Sequence, residues 1–339
     1  MAITVEQFVK RLEECGILSA ETIREFVPPN ASPKDGEELA RNLVRNRRLT
    51  KFQAEEIWRG KGNRLVLANY VLLERASSRL RQTVYKAYHR RLHRLVAIKV
   101  FRQDVMKDPS AVGRLQRGVE TAAKLRHPNI VVVDDADCAS GVCFLVMEYV
   151  DGSNLYELVK KDGSFSVEDT INYVLQAAQG LAAAHAEGIV HGAITPARLL
   201  LAKNRTIKIL GFGLATVSAI PQPELVEADT IMEAVDYMAP EHAMDMDTTD
   251  ARADIYSLGC TLFYLLTGKP PYDGDSRATR VLAHQNRQIP SLREIRPEIS
   301  ISLEGVFGRM VAKNVDHRYQ TMAEAIANLE RCRACGNIE

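Results

Sequence analysis

The 339-residue chain lacks any apolar run of about 18 residues, the length a helix needs to span a bilayer. Its start, Met1 to Lys10, is amphipathic and carries the acidic Glu6 where a signal peptide needs a basic start and an apolar stretch. A soluble, cytoplasmic protein is the expectation. An excess of either charge is missing too: 44 Lys and Arg face 43 Asp and Glu, which leaves no long-range pull toward nucleic acid or an anionic membrane. Neither is expected as a partner. Cysteine is scarce and scattered, as Cys15, Cys138, Cys143, Cys260, Cys332 and Cys335, far from the density of a stapled secreted scaffold. Free thiols in a reducing compartment follow. What is plentiful is apolar material, 46% of residues, enough to build a core in each of about two domains.

From Val5 to about Trp58 the apolar residues keep helical spacing, beginning with Val5, Phe8, Val9 and Leu12 on one stripe. Two stretches match each other, Leu12 with Leu43, Leu18 with Leu49, Ser19 with Thr50, Ile23 with Ala54 and Phe26 with Ile57. The pattern predicts a repeated helix-turn-helix over residues 1–64, its last helix opened by a capping box of Thr50 and Gln53. Pro28, Pro29, Asn30 and Pro33 mark the loop between copies. This extension has no polar constellation, so docking is expected of it rather than chemistry.

After Lys61, Gly62 and Asn63 the period becomes strand-like over Leu65–Arg75, Thr83–His89 and Leu95–Phe101. A helix capped by Asp108 and Pro109 follows, with Val112, Leu115, Val119 and Ala122 on one face. Strands over Ile130–Asp134 and Val142–Tyr149 complete a five-stranded antiparallel sheet. From Ser166 the chain turns helical, with one long stripe ending near Gly188 and an apolar helix from about Arg252 to Thr267. The expected fold is α+β: a small sheet lobe over 65–149, a helical lobe over 150–334, and a tail from 335 to 339.

Eight stretches stand in a fixed order: VAIK at Val96–Lys99, RHPNIV at Arg126–Val131, FLVMEYVDG at Phe144–Gly152, GIVH at Gly188–His191, KILGFG at Lys208–Gly213, YMAPE at Tyr237–Glu241, DIYSLG at Asp254–Gly259 and HRYQT at His317–Thr321. Together, over about Tyr70 to Arg331, they resemble the bacterial eukaryotic-like Ser/Thr protein kinases. The resemblance implies the bilobal protein-kinase fold. It leaves no length for the membrane span and external sensor that many such relatives carry after the kinase domain.

Phosphoryl transfer is positioning plus electrostatics, so each family residue can be checked for what it supplies. At the three glycines of the G-x-G-x-x-G phosphate loop this chain has Ser77, Arg79 and Gln82, of which Arg79 offers a contact for an anion. Lys99 matches the lysine that holds the α and β phosphates, but the position of its glutamate partner is Gly118. Glu120, two residues on, is turned about 200° around the helix. The catalytic loop H-R-D-x-K-P-x-N reads HGAITPAR, so the proton-accepting aspartate is Ala193, the phosphate-contacting lysine is Thr195 and the metal-binding asparagine is Arg198. The metal-binding D-F-G is Gly211, Phe212, Gly213, and G-T-P-x-Y is Glu233, Ala234, Val235, Asp236, Tyr237. Alanine accepts no proton and arginine repels Mg²⁺. The resemblance therefore implies no catalytic residues and no metal site, with the degenerate positions at Gly118, Ala193, Thr195, Arg198 and Gly211.

The family's structural residues are kept. His191 and Phe212, continued by Val133 and Ala122, match an internal stack; Glu241 and Arg318 match a buried ion pair; Asp254 matches the anchor of the catalytic loop. A candidate nucleotide pocket is also present: Val84, Ala97 and Leu200 match the adenine sandwich, Met147 the residue behind it, and Glu148 with Val150 the hinge, next to Lys99. No cofactor is certain, and metal-independent ATP binding is left open. Arg75, Arg79, Arg81, Lys86, Arg90, Arg91 and Arg94, with His89 and His93, are read as solvated strand edges. Cys332 and Cys335 are read as free thiols in a loose tail. The leading expectation is a noncatalytic pseudokinase, a scaffold or allosteric signalling partner that binds protein, either an active kinase or its substrate. The alternative is a Ser/Thr protein kinase with residual or atypical ATP-dependent phosphotransfer.

Overall fold

A computed structural model of the chain describes residues 3–79, 82–101, 109–139, 142–212, 234–244 and 250–335. Arg81, Asp108, Gly213 and Glu233 lie outside them, as do the side chains of Arg79, Gln82, Val112, Leu115 and Cys335. The chain divides into two compact units, Met1–Asp108 with Asp134–Tyr149, and Pro109–Val133 with Val150–Glu339.

The first unit opens with helices α1 (Val5–Cys15), α2 (Ala20–Arg24), α3 (Gly36–Arg45) and α4 (Lys51–Trp58). Capping boxes start α1 and α4: the hydroxyls of Thr4 and Thr50 accept from the amides of Gln7 and Gln53, whose side chains accept from the cap amides in return. Ser19 caps α2, so the matched positions Ser19 and Thr50 do the same job in the two copies. Strands β1 (Val66–Leu67), β2 (Tyr70–Arg79), β3 (Gln82–His89), β4 (Arg94–Phe101), β5 (Val133–Ala139) and β6 (Val142–Glu148) form one sheet in the order β1-β2-β3-β4-β6-β5. This is six strands where five were expected. Ala68, at a φ of 49°, turns the chain so that Val66 and Leu67 fold back onto Val71 and Tyr70. Ile130, expected in a strand of this sheet, instead bridges Ile209 in the second unit.

The register sorts the sheet into two faces, because residues directly opposite one another in an antiparallel ladder share a face. Val84 pairs with Lys99 and Lys99 with Leu145, while Lys86 pairs with Ala97 and Ala97 with Met147. On the opposite face Ala87, Val96, Ile98, Phe144 and Val146 are buried in a core shared with Phe8, Leu12, Leu39, Leu43 and Ile57 of the helices. The helical extension over 1–64 thus has no core separate from the sheet. Each of those five helical residues is fully buried, and burial of a side chain of that size contributes about 1.5–3 kcal/mol.

The second unit begins with α5 (Pro109–Ala123), which was expected to belong with the sheet lobe. A three-stranded sheet follows, β7 (Gly152–Asn154), β8 (Leu199–Ala202) and β9 (Ile207–Ile209), with helices α6 (Leu155–Asp162) and α7 (Val167–Ala186) between its first two strands. The remaining helices are α8 (Pro240–Met244), α9 (Ala251–Thr267), α10 (Arg277–Asn286), α11 (Leu292–Ile295), α12 (Ile301–Met310) and α13 (Met322–Cys335). Helix α9 is buried all round from Ala253 to Leu266, as its uniform apolarity requires, and Gly268 ends it in the left-handed conformation. Among the described residues no helix is long and apolar enough to cross a membrane.

The thiols depart from expectation twice. Cys138 and Cys143 form a disulfide across the β5–β6 hairpin, which brings their Cα atoms to 4.0 Å. Cys332 is buried on α13, whose helix runs through the sequence read as a loose tail.

Candidate functional site

The loop from His191 to Arg198 is fixed from beneath by Asp254, which lies in the first turn of α9 and is fully buried. One carboxylate oxygen accepts from the His191 amide at 2.9 Å and from His185 Nε2 at 2.8 Å; the other accepts from the Gly192 amide at 2.8 Å. Such a buried carboxylate directs its acceptor sites at three donors that have no water to turn to. His191 is buried, and burial pulls its pKa down to about 4, opposed by Asp254 and aided by the nearby charge of Arg198. The neutral ring has a defined tautomer. Its Nε2 carries the proton, because it faces the Leu210 carbonyl at 3.0 Å, and its Nδ1 accepts from the Ala193 amide at 3.2 Å. Phe212 meets the ring edge to face at a centroid distance of 4.8 Å, and Ala122 and Val133 are buried as well.

The residues singled out for chemistry lie around this scaffold. Ala193 presents a methyl group, and Thr195 is buried at the start of a single 3₁₀ turn, Pro196–Arg198. Arg198 donates its amide to the Thr195 carbonyl and accepts at its own carbonyl from the Leu210 amide at 2.8 Å. That bond sets the backbone of Arg198 beside that of Gly211. Gly211 adopts a φ of +103°, and a Cβ placed on it would lie 3.6 Å from the Arg198 Cζ, 3.8 Å from His191 Nε2, and on top of the Arg198 Nη1. The guanidinium therefore fills the space into which any side chain at 211 would project. Mg²⁺ does not fit this donor set: it requires oxygen ligands in near-octahedral array, whereas these two positions supply a cation and no side chain. Among the described residues no three His, Cys, Asp or Glu side chains gather as a metal-binding group.

Gly118 is buried within α5, and Glu120 is exposed, as the helical turn between them requires. Arg318, fully buried, makes a bidentate pair with Glu241 at 2.7 and 2.8 Å, donates to the Ala312 carbonyl at 2.7 Å, and lies 4.8 Å over the Tyr256 ring. A second buried pair was not anticipated: Asp236 with Arg280 of α10. Burial raises the Asp236 pKa and the arginine opposes the rise. Asp236 occupies a variable place in its motif and its partner is far along the chain, so spacing carried no signal. Lys313 was missed for the same reason; its ammonium donates to Tyr272 Oη and the His284 carbonyl, both at 2.6 Å, and burial lowers its pKa to about 8. Val150 and Leu200 are half-buried, Leu200 in β8 opposite Asn154 and Lys208.

In the first unit the register gathers Val84, Ala97, Lys99 and Met147 on the sheet face opposite the helices. Lys99 Nζ lies 5.4 Å over the Phe101 ring. Glu148, across from Val96, belongs to the other face. Ser77 is exposed and pairs with Val84, and the ladder continues to Arg79 and Gln82, so the segment matched to a phosphate loop is paired strand at these positions. Four of the basic residues nearby have local partners. Arg94 bonds Asp134 at 2.8 Å, Arg90 donates to the Gly16 carbonyl at 2.5 Å, and Lys86 and Arg75 lie over the rings of Tyr149 and Phe52.

An antiparallel sheet unit, a helical unit and a loop anchored by a buried aspartate define the architecture of a protein kinase, with the α+β composition that the sequence suggested. The protein kinase domain family matches residues 81–328, and the chain belongs to that family. The chain is 38% identical over 253 residues to the serine/threonine-protein kinase PknB of Mycolicibacterium smegmatis, an alignment covering 73% of this chain and 40% of that protein. It is 36% identical over 255 residues to a probable serine/threonine-protein kinase, SCO3848, of Streptomyces coelicolor, covering 74% and 37%. It thus spans about 40% of the length of these curated relatives. Among solved structures it resembles the PknI kinase domain of Mycobacterium tuberculosis, with a TM-score of 0.63, 27% identity, and coverage of 79% of this chain and 97% of that one.

Proposed function

We propose that this chain is a noncatalytic member of the kinase family, a pseudokinase that acts in the cytoplasm as a scaffold or allosteric partner for another protein, either an active kinase or its substrate. The observation that carries this reading is the Arg198 guanidinium in the space beside Gly211, together with the methyl group of Ala193. Loss of a proton acceptor removes one contribution to phosphoryl transfer, and loss of both metal ligands removes the charge neutralisation that transfer depends on. One relocated side chain does not replace both. Gly118, Thr195 and the paired strand at Ser77 add to the same side of the argument. Retention of Asp254, the Glu241–Arg318 pair and the His191–Phe212 stack is what a chain selected for its shape would keep.

The names of the relatives favour a second reading, a Ser/Thr protein kinase with residual or atypical ATP-dependent transfer. In that reading Val84, Ala97, Met147, Lys99, Val150 and Leu200, with the Glu148 backbone, are nucleotide contacts. The two readings separate on transfer of labelled phosphate from ATP to the protein itself and to generic substrates. The proposal expects none above background; transfer that disappears in the Lys99→Met variant would sink it.

A further inference from the structure

We infer that the N-terminal helices, together with strands β2 and β3, form a docking groove for an acidic, aliphatic segment of a partner protein. The inference goes beyond the noncatalytic reading and stands whether or not the chain transfers phosphate. The groove follows from the repeat. At the offset that matches Leu18 with Leu49, Gly16 matches Arg47, and both take the left-handed conformation, at φ of 63° and 57°. Each turns the chain after a helix, and the residues that follow, Ile17 and Leu18 in one copy and Arg48 in the other, line a single groove of about 360 Å³. Leu49 is buried in the core, whereas its match Leu18 is half-buried in the groove wall. The sheet supplies the rest: Val71 and Tyr88, paired across β2 and β3, and Leu73, which the register shift leaves without an opposite residue. From Tyr88 the register continues to Leu95, so Leu95, 43% exposed, prolongs the apolar face of Val71 and Tyr88.

The polar groups leave the groove with an apolar floor and a cationic rim. Gln53 is buried with both ends of its amide engaged, Oε1 accepting from the Thr50 amide at 2.9 Å and Nε2 donating to the Leu72 carbonyl at 2.7 Å. The Tyr88 hydroxyl is shared with His93 Nδ1 at 3.0 Å. Arg48 and Arg90 are exposed, and each commits one guanidinium nitrogen, Arg48 Nη2 to Glu25 at 3.2 Å and Arg90 Nη2 to the Gly16 carbonyl at 2.5 Å. A guanidinium has five N–H donors, so both keep donors for a carboxylate. Among the described residues no Asp or Glu lines the groove, and the half-exposed Glu25 pair is of a kind that a partner's carboxylate replaces at little cost. A positive rim over an aliphatic floor selects its occupant. Inorganic phosphate or a nucleic acid would leave the floor unused, and a basic chain would meet like charge. The groove is open along one side, unlike a cavity that encloses a small molecule, and so accepts a chain lying across it.

The test uses the full chain and a labelled peptide of alternating aspartate and leucine, followed by fluorescence anisotropy, with control peptides that carry lysine for aspartate or serine for leucine. The aspartate–leucine peptide is expected to bind saturably and more weakly as salt rises, and each control to lose about tenfold or more in affinity. Arg48→Ala combined with Arg90→Ala should weaken binding by a similar factor, because two charge contacts are lost. Absence of saturable binding at millimolar peptide would overturn the inference. Equal binding of either control peptide, or wild-type affinity in the double variant, would do the same. If the double variant does not fold for want of the Arg90 bond to Gly16, Arg48→Glu replaces it: reduced affinity supports the groove, and unchanged affinity rules it out. Sedimentation is measured in parallel. Self-association that the Arg48 variant abolishes would assign the groove to a second copy and overturn the inference as well. Phosphate transfer bears on the noncatalytic reading alone, whereas absent peptide binding with no transfer refutes only this inference.

Discussion

At the scale of single residues, the departures from the kinase pattern do not all have the same standing. Ala193 is a simple truncation, but Arg198 and Gly211 depend on each other through space, and this dependence is measurable. Gly211→Ala places a methyl on the guanidinium and forces an L side chain to a φ of +103°, so it should cost about 1–3 kcal/mol of stability. In an Arg198→Ala background the overlap is gone and only the backbone strain is left. A double-mutant cycle by urea denaturation should return a coupling of about 0.5 kcal/mol or more; strict additivity would show that the two positions are independent. Arg318 provides a contrast. Its Ala variant leaves Glu241 without its partner and opens a fully buried site, and a loss of about 3–5 kcal/mol is expected. Arg94→Ala, at an exposed pair with Asp134, should cost less than about 1 kcal/mol, as measured in the same assay.

At the scale of elements, the N-terminal helices change the meaning of the sheet they cover. Strand β2 shifts register against β3 between Leu72 and Glu74, which leaves carbonyls there that the ladder does not use. Thr50 donates to the Leu73 carbonyl at 2.5 Å and Gln53 to the Leu72 carbonyl at 2.7 Å, so the residues that cap α4 also satisfy the bulge. The capping box was legible from Thr50 and Gln53 alone, because it is a local pattern with fixed spacing. Their second role was not, since Gln53 and Leu72 meet only in the folded chain. For the same reason the helix periods gave α7 and α9 close to their observed limits, while the turn at Ala68 that makes β1 passed as continuous strand. A Gln53→Ala substitution should destabilise the sheet and not merely the helix, by about 1–3 kcal/mol, since a buried carbonyl loses its donor. Hydrogen exchange would show faster turnover in β2 and β3 as well as α4. Loss of protection confined to residues 1–64 would mean that the extension is a separate module after all.

At the scale of the whole molecule, a near-neutral sum conceals where protons are costly. The ordered motifs made the fold legible because each is short and fixed in spacing; the buried histidines were not legible, because burial is a property of packing. Burial is the largest cause of depression in each case: His191 falls to about 4 and His284 to about 3, and His127 and His242 are lowered as well. His284 accepts from Tyr256 at Nδ1, and its Nε2 has no hydrogen-bond partner among the described residues. A histidine whose folded pKa lies below its unfolded value of about 6.5 takes up a proton more readily when unfolded, so stability is present above that pH and is lost as pH falls toward the folded value. For His191 and His284 the window runs from about 6.5 down to about 4 and about 3, and each should cost about 2 kcal/mol between pH 7 and pH 5. Asp236 works the other way, because its raised pKa favours proton uptake in the folded state. Lys313, lowered to about 8, titrates above the window. Urea midpoints should therefore fall from pH 7 to pH 5, and His284→Gln should fall less steeply than wild type while being less stable at neutral pH. Equal midpoints at the two pH values, or a His284→Gln slope no shallower than wild type, would show that these rings are not held neutral by burial.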